Sequence, residues 1–416
     1  NPYGEWLDTK MLCLSDLKIP NKKVPNHSKE DRKKLQKAFG YSYEELTTSI
    51  LPMALNGAEG IGAMGIDIPL AVLSNQHQPL FNYFKQLFAQ VTNPPIDCIR
   101  EDIVTMERMY LGSEGNIIDP KSTDARHISL ESALITDEEL SALSLYKSKG
   151  FAAKKFPILY KNGGDGKVLK KALDKLFKDV SAAVDNGTNL IILSDRGADG
   201  ENAPIPALLA VSGLHQYLVK TSKRHMCSII LESGEPREVH HFSLLIGFGV
   251  SAICPYMAYA TIKDEIDNKH LALDYKTAVD NYIDAARHGI VKVLSKMGIS
   301  AVKSYQGAQI FEAVGIGEEV INNYFTSTAS RIGGIGLEDI QKDVEMQHSK
   351  AFDPLELHTD ETLDSRGAHK MRSGKEEHMY NPETIHLLQL ATRTGDYKTF
   401  KEYSALIDKE DSVRNL

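Results

Sequence analysis

Cysteine is scarce in this chain of 416 residues: there are four, at positions 13, 98, 227 and 254, and no two form a C-x-x-C pair. Such spacing excludes a disulfide scaffold and a local metal clip, and makes reduced thiols in a cytoplasmic protein the expectation. No apolar run reaches the roughly eighteen residues of a membrane span, and the start NPYGEWLDTK has no signal-peptide pattern. Excess positive charge is missing too, since 48 Lys and Arg face 56 Asp and Glu for a net charge of −8. Nucleic acid and anionic membranes reward a concentrated positive field, so neither is an expected partner. The first forty residues are locally basic but lack interleaved aromatics, which fits a solvated face. H-E-x-x-H, G-x-S-x-G and P-loop motifs are all absent. The first residue is not Met, which suggests a fragment or a processed chain.

What is present is an ordinary globular composition, 42% hydrophobic and 25% charged. The length points to one large domain with smaller flanking pieces. IPNKKVPNHSKEDRKK reads as a linker feeding a first helix, and YSYEELTTSILPMALN as a helix interrupted at Pro52. LFNYFKQLFAQ places apolar positions 80, 81, 84, 87 and 88 on one helical face, ended by Asn93-Pro94-Pro95. From about 150 to 315, β-rich runs alternate with amphipathic stretches. FPILY (156–160), NLIILS (189–194), CSIILES (227–233), SAICPY (251–256) and ISAVKSY (299–305) read as strands. This rhythm predicts an α/β fold, a barrel-like (β/α) repeat with a mainly parallel sheet and helical extensions at both termini. An open doubly wound sheet is the alternative. Beyond Tyr324 the pattern loosens through TSTASRIGGIGLEDI into a polar tract, and NPETIHLLQLATRTGDYKTFKEYSALI resumes as helix, too short to be a domain and similar to the first turns of one.

Residues 60–65, GIGAMG, satisfy G-x-G-x-x-G, the pattern of a dinucleotide-binding turn. That turn needs a buried strand before it and a helix after it. LPMALNGAE lacks a β-branched run, and Pro69 removes a donor from the following turn. A tight loop ahead of a short PLAVLS strand is the preferred reading.

Loops at the carboxyl ends of the strands are where such folds keep their sites. Here they carry Asp195 and Arg196, Glu232, and Tyr256, while GEPREVHHF gathers Glu235, Arg237, Glu238, His240 and His241. Such a cluster could support proton transfer or hold a metal. Adjacent histidines on a helix point about 100 degrees apart, however, and no third ligand follows at metal spacing. The favoured reading is structural: Glu235 and Glu238 in a first helical turn, and Arg237 paired with a neighbouring acid. Asp195 and Arg196 admit both a catalytic and a loop-bracing role, with bracing favoured. No glycine-rich phosphate loop follows the last strands, so a flavin is not expected in this portion.

PYGEWL, LFNYFKQLFAQVTNPPIDCIRE, LIILSDR, APIPALLAVSGLHQYL, ESGEPREVHHFSLLIGFGVSAICPY, VLSKMGISAVKSYQGAQIFEAVGI and YNPETIHLLQLATR resemble, in that order, the large chain of glutamate synthase. The resemblance runs from end to end. It implies a four-part parent: a glutaminase with an amino-terminal cysteine, a central domain, an FMN barrel with an iron–sulfur cluster that forms glutamate from 2-oxoglutarate and ammonia, and a β-helix. It further implies that residues 1–40 are the tail of the glutaminase part and a linker, and that 41–325 are the central α/β domain. Residues 326–375 would then be an inter-domain linker, and 376–416 the truncated start of the FMN-binding synthase part.

In that family the central domain carries no cofactor and performs no bond chemistry, but joins two active sites and helps wall an ammonia passage. By the resemblance, Asp195, Arg196, Glu232, Arg237, His240, His241 and Tyr256 are interface or structural loop residues, and the partners are the glutaminase and synthase domains of the same chain. The competing expectation is an independent barrel enzyme using Asp195, Glu232 and His240 as acids and bases. In GIGAMG the family's usual G-S-M-G, Asp and Pro match Gly62, Met64, Gly65, Asp67 and Pro69. Ala63, Ile66 and Ile68 depart from it, and Gly60 stands where a proline is usual. DSRGAHKMRSGKEEH departs from a segment usually richer in Gly and aromatics.

Overall fold

A computed structural model of the chain describes residues 2–17, 28–62, 65–87, 94–116, 118–148, 150–353 and 362–408. Four parallel strands, β1 (Ala153–Pro157), β2 (Leu190–Ser194), β3 (Ser228–Glu232) and β4 (Ala252–Cys254), lie in the order β4-β3-β2-β1. FPILY is split, its Phe156 and Pro157 ending β1 while Leu159–Lys161 pairs antiparallel with Asn202–Pro204 in a separate ribbon. Every residue of β2, β3 and β4 is buried, as expected for strands covered by helices on both faces. The crossovers contain α1 (Val168–Asp185), α2 (Ala207–Lys220) and α3 (Val239–Gly247), and α4 (Tyr256–Asp267) and α5 (Tyr275–Lys296) follow β4. Along α1, Leu169, Leu173, Leu176, Phe177, Val180 and Val184 form the buried stripe that a 3.6-residue period dictates. The α/β class with a parallel sheet and helical ends therefore stands. Among the described residues the sheet stays open. One isolated bridge, Leu134 to Ile253, extends the edge at β4, and the remaining strands form separate small sheets.

Several local expectations are corrected. ISAVKSY is not a strand: Val302–Tyr305 is one helical turn, and its buried residues Val302 and Tyr305 stand three apart, a helical spacing. Leu80–Tyr83 is a 3₁₀ turn and Phe84–Gln86 a strand, antiparallel to β5 (Phe311–Ile316). Leu80, Phe81, Tyr83 and Phe84 are all buried, so a fully buried run had passed for a helical face. The remainder of that predicted helix, 88–93, lies outside the described residues. PLAVLS gives a 3₁₀ turn at Ala71–Leu73. TSTASRIGGIGLEDI is ordered, providing β6 (Ala329–Ile335), parallel to β5, and the start of α6 (Leu337–Ala351). Its glycines had hidden the strand. The terminal helix is two, α7 (Pro382–Thr394) and α8 (Tyr397–Ile407), separated by Gly395; α7 is capped by the Asn381 side chain as its Asn-Pro start predicts.

Pro52 does not break its helix. Tyr43–Glu45 and Leu51–Asn56 are α-helical, and Leu46–Ile50 between them is a wider π turn, which absorbs the missing donor. The carbonyl of Thr48, four residues before Pro52, faces Gly60 so closely that a Cβ there would stand 2.0 Å from its oxygen. The first glycine of GIGAMG thus serves backbone packing. A helix precedes it and a 3₁₀ turn follows, so the strand and helix of a dinucleotide site are both lacking; residues 63 and 64 lie outside the description.

Candidate functional site

Register assembles the strand ends. Pro157 pairs with Ser194, Ser194 with Glu232, and Glu232 with Cys254, so these four lie in one row across the sheet. The next row begins with Asp195 and Ser233, whose backbone N–H groups donate to the carbonyls of Glu232 (3.2 Å) and Cys254 (3.1 Å). Because side chains alternate along a strand, Ser194 and Glu232 face one side of the sheet and Asp195 and Ser233 the other.

Glu232 is enclosed by donors. Its Oε1 accepts from Arg196 Nε at 2.7 Å, and its Oε2 from Lys155 Nζ at 2.6 Å and from the Ser194 hydroxyl at 2.5 Å. Burial pushes the Glu232 carboxyl up, but Arg196 and then Lys155 outweigh it and hold it below the usual range. Arg196 also donates to Asp137 and lies over the Tyr256 ring, 4.0 Å from its centroid. On the other face, Asp195 is 1% exposed and accepts from the Ser233 hydroxyl (2.5 Å), the Gly234 N–H (3.0 Å) and the Tyr256 hydroxyl. Burial dominates there, lifting Asp195 to about 7 against those bonds.

Arg237 is fully buried, and its five donors are all used. Nε and Nη2 reach Glu45 Oε1 at 3.1 and 2.7 Å, Nη2 also reaches the Gly40 carbonyl, and Nη1 the carbonyls of Phe39 and Glu235. The guanidinium lies over the Tyr41 ring at 4.4 Å. Glu45 uses its other oxygen to close a capping box on Ser42. Burial raises the Glu45 carboxyl, yet Arg237 and Arg366 bring it below its ordinary value. His241 stacks on Phe81, with ring centroids 4.2 Å apart, and its Nδ1 accepts from the Arg237 N–H. His240 Nε2 lies 3.2 Å from the Phe81 carbonyl. Burial lowers both histidines, His241 further because Arg237 stands beside it, so both rings are neutral near pH 7.

Glu235 does not sit in the first turn of the helix that follows it. Its Oε2 accepts from Ala207 N at 2.7 Å, at the start of α2, and burial raises it to about 6. Glu238 is the N-cap of α3, raised to about 7 by burial and by the charge of Glu45. Arg237 pairs with a distant acid rather than a neighbour; Asp195 bonds the loop after β3 and Tyr256, and Arg196 bonds Glu232 and Asp137, rather than each other.

The strand-end residues found by sequence are thus brought together, but their partners Glu45, Asp137, Lys155 and Tyr41 were missed. Glu45 left one readable trace, the S-Y-E-E capping box at 42–45. Among the described residues no group of three His, Cys, Asp or Glu is arranged to hold a metal. At the start of α2, where a helix N-terminus could face a phosphate, the Ala207 N–H is already taken by the Glu235 carboxylate. Elsewhere, a cleft of about 330 Å³ is lined by Cys13, Arg108, Glu131, Ser132 and Arg287.

Residues 34–317 match the family described as glutamate synthase central domain. The chain belongs to the glutamate synthase family. It is similar to the NADPH glutamate synthase large chain of Bacillus subtilis, with 44% identity over all of this chain and 27% of that protein. It is also similar to ferredoxin-dependent glutamate synthase 2 of Synechocystis, with 38% identity over 95% of this chain and 26% of the relative. The chain therefore spans about a quarter of the glutamate synthases it matches. Among solved structures, the flavin-binding domain of baker's yeast flavocytochrome b2 aligns with 73% of this chain and 98% of its own, at 9% identity and a TM-score of 0.34, too loose a likeness to argue from. The strand-end network of Glu232, Asp195 and Arg237 lies inside the matched segment of the glutamate synthase family.

Proposed function

We propose that this glutamate synthase segment is the connecting unit of a large chain that makes glutamate from glutamine and 2-oxoglutarate. It joins a glutaminase unit to a synthase unit bearing FMN and an iron–sulfur cluster, and helps wall the passage along which ammonia moves between them. Its boundaries are residues 41–325, with 1–40, 326–375 and 376–416 belonging to the flanking pieces, in a cytoplasmic protein without a cofactor in this segment. One observation carries the reading. Arg237, the most deeply buried charge at the strand ends, spends every donor on internal acceptors, and Glu232 is likewise enclosed by Arg196, Lys155 and Ser194.

Charged groups already paired this way do not trap a passing cation as a free carboxylate would. Neutral His240 and His241 suit the same purpose, since a dry, apolar wall keeps ammonia unprotonated. The test is made in the complete large chain, by measuring glutamate formed per glutamine hydrolysed. Loosening the segment by Arg237→Ala should release ammonia to the medium and lower that ratio while glutaminase activity persists. An unchanged ratio with a destabilised segment, or turnover of glutamine or 2-oxoglutarate by the isolated chain, overturns the reading.

One observation favours the second reading, an enzyme using Asp195, Glu232 and His240: Asp195 is poised near 7, where general acids and bases work best. Asp195→Asn distinguishes the two. In a connector it shifts stability alone, and in an enzyme it abolishes turnover in a folded protein.

A further inference from the structure

Residues 362–380 carry no helix or strand, yet they are fastened to the body of the fold at many points. The Tyr43 N–H donates to the Asp364 carbonyl, and Arg366 Nη2 to the Gly40 carbonyl. Glu44 Oε2 accepts the N–H groups of Ala368 and His369, while Glu376 Oε1 accepts from Ser74 and Gln78. A further fastening is His378. Its Nδ1 lies 2.8 Å from Asp67 Oδ1 and its Nε2 2.6 Å from the Gly367 carbonyl, and the residue is 7% exposed.

Both of those partners are acceptors. A carbonyl cannot donate, and a neutral imidazole has one N–H, so it can make one of these bonds but not both. Asp67 is itself an ionised acceptor: partial burial pushes it up, but the Tyr380 N–H and His378 hold it below its usual value. The ring is therefore an imidazolium. We propose that protonated His378 is a buckle that fastens residues 362–380 to the loop at Asp67, sets the position of the α7–α8 hairpin that follows, and loosens as pH rises.

The charges acting on the ring agree. Burial opposes the proton, but the Gly367 carbonyl, Asp67 from the facing loop and Glu44 from the helix that begins at Tyr43 all favour it, and the balance lies above the ordinary histidine value. The stabilisation is complete below about pH 6.5, the value of an unfolded histidine, and is lost as pH climbs through the folded value.

Two measurements on the 416-residue chain test this. Long-range ¹H–¹⁵N correlation should show His378 protonated on both nitrogens at pH 6.5; a single neutral tautomer there overturns the proposal. Hydrogen exchange, corrected for intrinsic rates, should show protection of the Ala368, His369, Met379 and Tyr380 amides falling between pH 6 and 9, about tenfold for each unit by which the native value exceeds the unfolded one. His378→Gln and Asp67→Asn should each remove that pH dependence while core amides in β2 and β3 stay protected. Protection that is independent of pH in the unsubstituted chain, or a dependence that survives both substitutions, overturns it.

Discussion

Arg237 and Glu45 stand 192 positions apart in the chain and 2.7 Å apart in the fold, Nη2 to Oε1. The pair ties the strand-end loop after β3 to the helical segment before GIGAMG, and the same guanidinium holds the carbonyls of Phe39 and Gly40. Removing one member leaves the other as a buried, unpaired charge. We expect Arg237→Leu to destabilise the chain by roughly 3–5 kcal/mol in urea unfolding. Glu45→Gln should have a smaller effect, because an amide oxygen still accepts. A double-mutant cycle should show strong coupling, and additivity would mean the pair is not a unit.

Asp195 gives the protein a pH signature. Its native value of about 7 lies above that of an unfolded Asp, so between pH 4 and 7 the folded state holds the extra proton. Stability contributed by this group is therefore present below about pH 4 and falls as pH rises through 7, with Glu235 and Glu238 acting in the same sense. Urea titrations from pH 5 to 8 should show a shallower decline for Asp195→Asn than for the unsubstituted chain. Equal slopes would count against a buried, proton-holding Asp195.

Gly234 should accept no side chain. A Cβ at this position would lie 2.4 Å from the Phe39 ring, which packs edge-on to Tyr256, and its N–H is one of the bonds to Asp195. Gly234→Ala is expected to cost about 1–3 kcal/mol of stability through overpacking. A crystal structure of the variant should show the Phe39 ring displaced.

His240 offers a direct test of role. Its ring is neutral and contacts the Phe81 carbonyl, which the side-chain amide of Gln can also reach. In the complete large chain, His240→Gln should leave glutamine-dependent glutamate formation within about twofold of the parent and lower the unfolding midpoint slightly. Loss of turnover with folding intact would instead place the ring in a reaction.

Sequence alone determined the alternation of buried runs and amphipathic helices from 150 to 296, because a period of two or of 3.6 is local and each of β1, β2 and β3 is followed by its own crossover helix. It also located the strand-end acids and bases, since a parallel sheet gathers those loops at one end. It misjudged Leu80–Gln86, Ala329–Ile335 and Val302–Tyr305, where pairing with a distant strand or a local turn overrode the apparent pattern. Only the tertiary structure decided what the charges do. Glu45 reaches Arg237, Asp137 reaches Arg196 and Asp67 reaches His378 across 192, 59 and 311 positions, and no local period encodes such distances. They arise because an ionised group taken out of water must find its counter-charge or acceptor wherever the fold brings one within reach.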